Sequence, residues 1–581
     1  MALNRQIVAT TRRSNLVSTF GVGALLPSED DSFMIAGLDE WPGCDSWEGD
    51  EVVSEPRLAA SLGVRGFRSP STWRKEGDVP ARRFPRWAFC TNPDCRRLGP
   101  WWAVSDPAKR RCGDCYASLS PSRFVSCCVS GHIEDFPYIV WVHEGHVEEP
   151  KTHKLRLRAR GVSSALSDLV VECSCGRKRS MEGAFDRGAL RGLKSCSGGR
   201  PWLRNNERGC REELRTLQRG SSNVWFPQTR SAISIPSPRQ SAEAFVHDRL
   251  RLFENATAEI LASMKLPPGV TEDLVVQAFR RITNPAITPE RPTDADLRAQ
   301  EYSALCAGLD DPETSTQFQC AEVDLTGSDT PPIIKQVSRV SRLREVRALV
   351  GFTRVYPASD EKAVTVAPLT EDTQPTWYPA IEVLGEGVFV QLDGAELDRW
   401  ATSQFAVHRS RLLEEARDRS GPSALATTLD LAPRAVALHS LAHLLIDEMS
   451  LTAGYPAGSL RERVYDGEGQ AGVLVYTATA DSAGSLGGLA ALSDKDRFAG
   501  LLLSGVDRAH WCTSDPVCIE SEANGVDGLN LAACHACLLV PETSCERFNL
   551  VLDRACLIGT PEEESAGLFG DFPTAVHRLR T

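Results

Sequence analysis

The chain has 581 residues, which is too long for one hydrophobic core and predicts about three to five domains at roughly 100 to 200 residues each. Its composition, with 42% hydrophobic and 24% charged residues, is typical of a soluble globular protein, and the absence of any run of about 18 uncharged apolar residues argues against a membrane protein. The N-terminus has no apolar segment followed by a small-residue cleavage site, so we expect a cytoplasmic protein without a secretory signal.

The net charge of -12 conceals two basic regions. The stretch from Arg82 to Cys115 holds 8 Lys/Arg and 3 Asp/Glu, and the stretch from Lys151 to Gly220 holds 17 Lys/Arg and 7 Asp/Glu. A basic region in an acidic protein favours contact with phosphates, as in DNA binding. The alternative is that these charges cluster by chance around small zinc modules.

Composition and periodicity predict four consecutive regions. Short apolar pieces with Gly and Pro come first, followed by a basic, loop-rich zinc-binding region, a strand and linker leading into a mainly helical middle, and a C-terminal zinc-binding domain. A helix of the middle region is expected to begin at its cap residue, Ser241. The expected boundaries are 1–85, 86–220, 221–430 and 431–581.

The last region has the clearest predicted elements. A helix is expected from Pro433 through Met449, and GVLVYTAT is expected to form a buried strand. The glycines of DSAGSLGGLAALSD then provide a turn into a further helix. We therefore predict a multidomain protein of mixed α/β and α+β class, in which the C-terminal domain is α/β.

The 19 cysteines indicate metal sites, because a reducing cytoplasm keeps cysteines as thiols and leaves metal ligation or burial as their main uses. Structural zinc needs four thiolate or imidazole ligands. A C-x4-C pair followed by a C-x2-C pair resembles a zinc ribbon, and this set is Cys90, Cys95, Cys112 and Cys115.

A second zinc site is predicted in the more basic part of this region. Its expected ligands are Cys173, Cys175, Cys196 and Cys210, with Cys128 and His132 as alternatives. Since Cys127 and Cys128 are adjacent, one of the two is expected to pack in the core instead of binding the same ion.

Near the C-terminus, five cysteines compete for four places around one ion. They are Cys512, Cys518, Cys534, Cys537 and Cys545. A redox dithiol would need a thioredoxin-like βαβ setting, and a catalytic zinc would keep an open position, so the surplus of thiols favours a closed structural site. In total we predict two or three structural zinc ions.

Two further patterns are candidates for functional sites. His439 and His443 share one helical face, and we interpret them as hydrogen-bonded histidines in a domain interface, with a metal or catalytic role as the alternative. Asp447, at i+8 from His439, lies about 12 Å along the helix and cannot join both histidines on one ion. GSLGGL lacks the Lys-Ser/Thr of a P-loop, so no nucleotide site is predicted.

The runs HSLAHLLIDEMSLTAGYPAGSLRERVY, CTSDPVC and CHACLLVPETSCERFNLVLDR resemble the cysteine-bearing C-terminal domain of MrfA-type DNA-repair helicases. With RRSNLVSTFGVGALL, GHIEDFPYIVWVH and SNVWFPQTRSAISIP, nearly the whole chain resembles the stand-alone proteins that carry this domain in the bacterial DISARM phage-defence system. The resemblance implies a non-catalytic partner of the superfamily-2 helicase DrmA, in a complex that binds DNA alongside a methyltransferase. It also implies zinc on Cys534, Cys537 and Cys545, with Cys518 or Cys512 as the fourth ligand.

The leading hypothesis is therefore a zinc-binding accessory subunit of a DNA helicase complex in anti-phage defence. One alternative is a metal-dependent or histidine-based nuclease or hydrolase that uses the C-terminal domain. Another is a protein-interaction scaffold that does not contact DNA.

Overall fold

The computed structural model describes residues 7–42, 51–71, 78–106, 109–160, 165–235, 242, 245–246, 266, 271–283, 291–308, 317–357, 365–371, 375–419, 429–477, 487–525 and 528–572. The helix expected from Ser241 falls outside these residues except at positions 242, 245 and 246, and so does most of the expected glycine turn, over 478–486.

The fold consists of two units, each assembled from separate stretches of the chain. The first unit comprises Met1–Val53, Phe67–Arg230 and Ala348–Ile381, and the second comprises Ser54–Gly66, Ser231–Arg347 and Glu382–Thr581. The four consecutive regions expected from the sequence remain a prediction about domain boundaries. The mixed, multidomain fold class is confirmed, because helices and several sheets occur together.

The described α-helices and β-strands are numbered in chain order. The helices are α1 (Asn15–Ser18), α2 (Pro56–Leu62), α3 (Trp101–Val104), α4 (Tyr138–His143), α5 (Glu272–Thr283), α6 (Asp294–Ala307), α7 (Gly394–Ala401), α8 (Gln404–Arg419), α9 (Pro433–Ala453), α10 (Lys495–Ala509) and α11 (Ala555–Ile558). The strands of the first 220 residues are β1 (Leu25–Pro27), β2 (Ser32–Ile35), β3 (Val52–Val53), β4 (Gly66–Arg68), β5 (Ala81–Arg83), β6 (Trp87–Cys90), β7 (Arg97–Pro100), β8 (Leu119–Pro121), β9 (Phe124–Cys127), β10 (Ile133–Asp135), β11 (Leu155–Ala159), β12 (Leu169–Cys173), β13 (Lys178–Ser180), β14 (Gly199–Arg200), β15 (Asn205–Asn206) and β16 (Arg215–Gln218). The remaining strands are β17 (Phe226–Ile233), β18 (Phe318–Glu322), β19 (Ile334–Thr353), β20 (Trp377–Leu392), β21 (Leu460–Tyr465) and β22 (Gly472–Thr477).

The first unit is built on short antiparallel strands. Its largest sheet has the order β13-β12-β11-β7-β6-β8, and further small sheets are β1-β2-β5, β10-β9-β16 and β14-β15. In β11, Leu155 and Leu157 are buried while Arg156 is exposed, as expected for a strand with one face on a core. That core contains Phe124, Tyr138 and other aromatic side chains. The cysteines lie mainly in the loops and strand ends that border it.

A buried arginine ties several loops of the first unit together. The guanidinium group of Arg354 donates hydrogen bonds to the backbone carbonyls of Gly131 (2.8 Å), Val224 (2.6 Å) and Gly23 (2.8 Å). Burial lowers the pKa of Arg354 to about 10. Since Gly131 lies between Cys128 and His132, this arginine holds in place the loop that carries two candidate ligands.

The second unit contains most of the largest sheet, whose main path is β17-β19-β20-β22-β21 with β18 paired to β19. Strands β21 and β22 are antiparallel, with Val464 opposite Val473. Helix α9 packs on these strands and is buried around most of its circumference, which explains its nearly continuous apolar sequence. The structure confirms the helix predicted from Pro433, which ends at Ala453 before a left-handed Gly454, and it confirms the predicted strand as β22.

An ion pair is buried inside the second unit. Arg463 of β21 and Glu301 of α6 have fully buried side chains and form two hydrogen bonds, of 2.7 and 2.8 Å. The Glu301 carboxylate also accepts a hydrogen bond from the backbone N–H of Ile233 (2.9 Å). These charges are therefore satisfied without water.

Within the described residues, no helix combines the length and apolar character needed to cross a membrane.

Candidate metal centres

Five clusters of potential metal ligands occur among the described residues, three in the first unit and two in the second. In each, four ligand atoms lie within 4.8 Å of one another. Ligand atoms about 2.0–2.3 Å from a tetrahedral zinc ion are themselves about 3.3–3.8 Å apart, so the distances within each cluster can be compared with this geometry.

The first cluster contains the four cysteines expected to form a ribbon site, Cys90, Cys95, Cys112 and Cys115. Their Sγ atoms are 3.4 Å apart between Cys90 and Cys115 and 3.8 Å apart between Cys95 and Cys112. Cys90 ends β6, and a tight turn returns the chain at Cys95 because the Cys95 N–H donates to the carbonyl of Asn92 (3.2 Å). The structure thus brings this predicted set together with spacings suited to zinc.

The second cluster contains Cys128, His132, Cys196 and Cys210. The Sγ of Cys196 lies 3.7 Å from that of Cys128 and 3.6 Å from Nδ1 of His132. On the other side of the ring, Nε2–H of His132 donates to Glu207 (3.0 Å). A carboxylate on the outer nitrogen of a metal-binding histidine is a common device that orients the ring and fixes its tautomer.

The third cluster contains His143, His153, Cys173 and Cys175. Nε2 of His143 is 3.3 Å from Sγ of Cys175, and Nδ1 of His153 is 3.2 Å from Sγ of Cys173. Nδ1–H of His143 donates to the carbonyl of Ile139 (2.8 Å), which leaves its Nε2 lone pair directed at the cluster. The two cysteines lie where β12 turns towards β13, and Gly176 adopts φ +93° in this turn.

The predicted set of Cys173, Cys175, Cys196 and Cys210 is therefore divided between two clusters. Each pair is completed by residues from elsewhere in the first unit, and the alternatives Cys128 and His132 fall in the second cluster. The reason is topological, because Cys173 lies at the end of β12 near α4, which carries His143, whereas Cys196 faces the loop after β9. Sequence analysis missed His143 and His153, although both precede the C-x-C pair by about 20–30 residues.

The fourth cluster, in the second unit, contains Cys512, Cys518, Cys534 and Cys537. The Sγ distances are 3.5 Å from Cys512 to Cys534 and 3.8 Å from Cys518 to Cys537. The wide spacing between Cys512 and Cys518 is organised by Asp515, whose carboxylate accepts hydrogen bonds from the backbone N–H groups of Cys512 (2.8 Å) and Ile519 (3.1 Å). Both upstream cysteines thus reach the same cluster.

Cys545 does not belong to this four-cysteine cluster. It lies with His439, His443 and Glu462, all of them buried, in the fifth cluster. Glu462 is a strand residue that sequence analysis missed, and no spacing signal marks it. Asp447 is directed elsewhere and pairs with Arg508 (2.5 Å).

One thiol in each of the first four clusters has a lowered pKa. The pKa is about 7 for Cys115, mainly through the backbone N–H of Ala117, and about 6 for Cys175, mainly through the backbone N–H of Arg177. A hydrogen bond from a neighbouring cysteine is the main cause of the pKa of about 4 for Cys128 and about 6 for Cys518. Each of these four clusters therefore contains a thiol that loses its proton more readily than an ordinary cysteine, and the thiolate is the form that binds metal.

In the fifth cluster, burial lowers the pKa of His439 and raises the pKa of Cys545. The pKa of Glu462 stays well below its usual range because burial, which acts in the opposite direction, is outweighed by the two histidines.

The clusters of four potential ligands lie on short loops, and their sulfur spacings match a tetrahedral ion. The structure is therefore that of a protein compatible with structural zinc sites. Residues 441–538 match the MrfA Zn-binding domain, and residues 12–226 match a domain of unknown function, DUF8724. The chain is also 32% identical, over 94% of its own length and 99% of the relative's, to the DISARM protein DrmB of Bacillus paralicheniformis. The chain belongs to the DrmB family of DISARM proteins and contains a zinc-binding domain of the MrfA type.

Proposed function

We propose that this chain is a non-catalytic, cytoplasmic accessory subunit of a DNA helicase complex in anti-phage defence. In this proposal it stabilises the superfamily-2 helicase DrmA and contributes to DNA binding, within a defence system that includes a methyltransferase. The observation that carries the proposal is the end-to-end similarity to a DISARM DrmB protein, combined with clusters suited to structural metal.

The zinc ligands are part of this proposal. We assign one zinc ion to each of the first four clusters, which are closed by four Cys or His ligands and leave no open coordination position for a substrate. The burial of His439 and His443 also supports a non-catalytic role, since a nuclease or hydrolase must expose its catalytic groups to a substrate.

Co-purification tests the helicase partnership. When the chain is co-expressed with a tagged DrmA, we expect the two to elute as one complex and the unfolding temperature of DrmA to rise, because a partner that binds only the native state stabilises it. A chain that fails to co-elute with DrmA would contradict the partnership. DNA cleavage by the isolated chain, abolished in a His439→Ala/His443→Ala variant, would instead favour the enzyme hypothesis.

The DNA contribution is assigned to the basic first unit. Beside the first cluster, Lys109, Arg110 and Arg111 are all exposed, and the Lys109 ammonium lies 4.5 Å from the ring centre of Tyr116. Tyr116 is 50% exposed, and Trp102 of α3 is 69% exposed. Exposed aromatic rings beside cations are the combination that stacks on bases and contacts phosphates.

Replacing Lys109, Arg110 and Arg111 with glutamine is expected to weaken DNA binding by the purified complex. The slope of log K against log salt should become shallower by about 0.9 for each phosphate of duplex DNA that the variant no longer neutralises. A matched variant changes three exposed arginines of the second unit to glutamine: Arg399, Arg411 and Arg419. Fluorescence anisotropy over a salt series should show no change of slope in that control, and a wild-type affinity that does not depend on salt would remove DNA contact from the proposal.

Cys127 and Cys128 offer a test of the second cluster. The Cys127 side chain is fully buried on the side of Arg354, and burial raises its pKa to about 12, whereas Cys128 faces the cluster. We expect Cys128→Ser to lose one equivalent of zinc and Cys127→Ser to lose none, as measured by metal analysis of the full-length chain. Equal zinc content in the two variants would contradict the assigned ligand set.

A further inference from the structure

We propose that the fifth cluster, formed by His439, His443, Glu462 and Cys545, binds a second zinc ion in the second unit. It differs from the four-cysteine cluster in its donor set of two nitrogens, one oxygen and one sulfur. The exposed fraction is 0% for both histidines and for Glu462, and 4% for Cys545. The proposal does not depend on the function proposed above.

The hydrogen bonds of the histidines direct both rings at the same point. Nδ1 of His439 donates to the carbonyl of Val551 (3.2 Å), and Nδ1 of His443 donates to the carbonyl of Leu538 (2.9 Å). Because a carbonyl oxygen can only accept, both Nδ1 atoms carry a proton. A neutral imidazole then presents an unprotonated Nε2, which is the form that binds a metal.

The four inward atoms have the spacing of tetrahedral ligands. Nε2 of His439 is 3.2 Å from Sγ of Cys545 and 3.2 Å from Oε1 of Glu462, and Nε2 of His443 is 3.5 Å from Oε2 of Glu462. Within the described residues, Nε2 of His443 and Oε2 of Glu462 are buried and have no hydrogen-bond partner. Buried polar atoms without a partner are costly, and a shared cation satisfies both.

The backbone around Cys545 directs two N–H groups at its sulfur. The N–H groups of Arg547 and Asn549 both donate to its Sγ, each at 3.3 Å. In the four-cysteine cluster, the N–H of Ser514 likewise donates to the Sγ of Cys512 (3.4 Å), two residues before it, as the N–H of Arg547 does to Cys545. This contact between a backbone N–H and a sulfur therefore occurs in both clusters of the second unit.

Charge balance also favours a divalent ion. A carboxylate, a thiolate and two neutral imidazoles carry a total charge of minus two, which one Zn²⁺ neutralises. Without a metal, the Glu462 carboxylate and the two histidine rings, whose centres are 4.6 Å apart, lie together in a site with no access to water. A bound divalent cation compensates the negative charge of its ligands inside such a buried site.

The donor set identifies the class of ion. Imidazole and thiolate are preferred by zinc, whereas magnesium and calcium prefer sites made of oxygen ligands. With four protein ligands and no exposed position, the site is a structural one. Its ion would join α9 and the nearby β21 to the segment around Cys545, which lies about 80 residues or more further along the chain.

Anomalous diffraction from crystals of the full-length chain tests the site directly. We expect a peak between the four side chains in the difference map collected above the zinc absorption edge, and its disappearance below the edge. If the four-cysteine cluster shows a zinc peak and this position shows none, the proposal is wrong. A peak that persists below the zinc edge would also overturn it, because it would identify another element.

Metal stoichiometry provides a second measurement on the same protein. We expect Cys545→Ser to bind one zinc equivalent fewer than the wild type by native mass spectrometry. The matched control is Cys556→Ser, which changes another buried cysteine of the second unit that belongs to no cluster among the described residues, and it should retain every equivalent. A folded Cys545→Ser protein with the wild-type zinc content would contradict the proposal, and should this variant not fold, the wild-type crystal measurement still decides.

Discussion

Replacing Cys534 and Cys537 together with serine is expected to unfold the second unit and to release its four-cysteine zinc ion. These residues are two of the four cysteines in the cluster, and their Sγ atoms lie 3.8 Å from each other. Structural zinc contributes about 10 kcal/mol or more of apparent folding free energy in small zinc domains. That amount is comparable to the whole stability of a typical domain, about 5–15 kcal/mol.

The measurements are zinc content, the thermal unfolding profile and limited proteolysis of the full-length chain. A suitable control changes two cysteines of the same unit that lie in no described cluster, Cys306 and Cys320, to serine. This control should keep its zinc and lose only about 1–3 kcal/mol, the usual cost of introducing a polar group into a partly or fully buried site. A folded Cys534/Cys537 variant that retains its zinc would show that the assigned ligands are incorrect.

Glu301→Gln is expected to destabilise the second unit by about 3–5 kcal/mol, because it leaves the Arg463 guanidinium buried without its main counter-charge. Arg463 is fully buried, and Coulombic attraction, chiefly to Glu301, raises its pKa well above the usual value despite the opposing effect of burial. Since arginine is not deprotonated in proteins, Arg463 stays charged. The loss of stability should be measurable as faster hydrogen exchange of the backbone amides of β21 and β22 as the urea concentration is raised.

The matched control is Glu415→Gln, an exposed position on α8, which should change stability by no more than about 0.5 kcal/mol. A second variant, Glu301→Gln combined with Arg463→Met, separates charge from packing. We expect the double change to cost less than the sum of the single changes, because both partners of the buried pair are then neutral. Strict additivity would mean that the two charges do not depend on each other.

The spacing of cysteines along the sequence was the most reliable guide to the candidate metal sites. The ribbon set from Cys90 to Cys115 could be grouped from the sequence because both pairs lie on short turns within one stretch of chain. Helix α9 and strand β22 were also predictable, since their apolar patterns are nearly continuous. Full-length resemblance to DISARM proteins was recognisable from several long runs of residues and agrees with the similarity to DrmB.

The sequence did not show which cysteines share a cluster where the candidate ligands come from distant strands. Cys173 and Cys196 both looked available for one ion, but the register of β12 directs Cys173 towards His153, and the loop after β9 directs Cys128 towards Cys196. Likewise, Cys545 follows Cys537 closely in sequence and yet faces α9 instead of the four-cysteine cluster.

The sequence by itself determined that this chain is rich in zinc-type ligands, that its C-terminal region combines a buried helix with a strand, and that its first half is basic. Only the tertiary structure decided which cysteines share a cluster, and it added His143, His153 and Glu462 to them. The physical reason is that a metal ion selects ligands by distance and direction over a few ångströms. Those distances are set by strand pairing and helix packing between residues that can be a hundred positions apart, as His439 and Cys545 are.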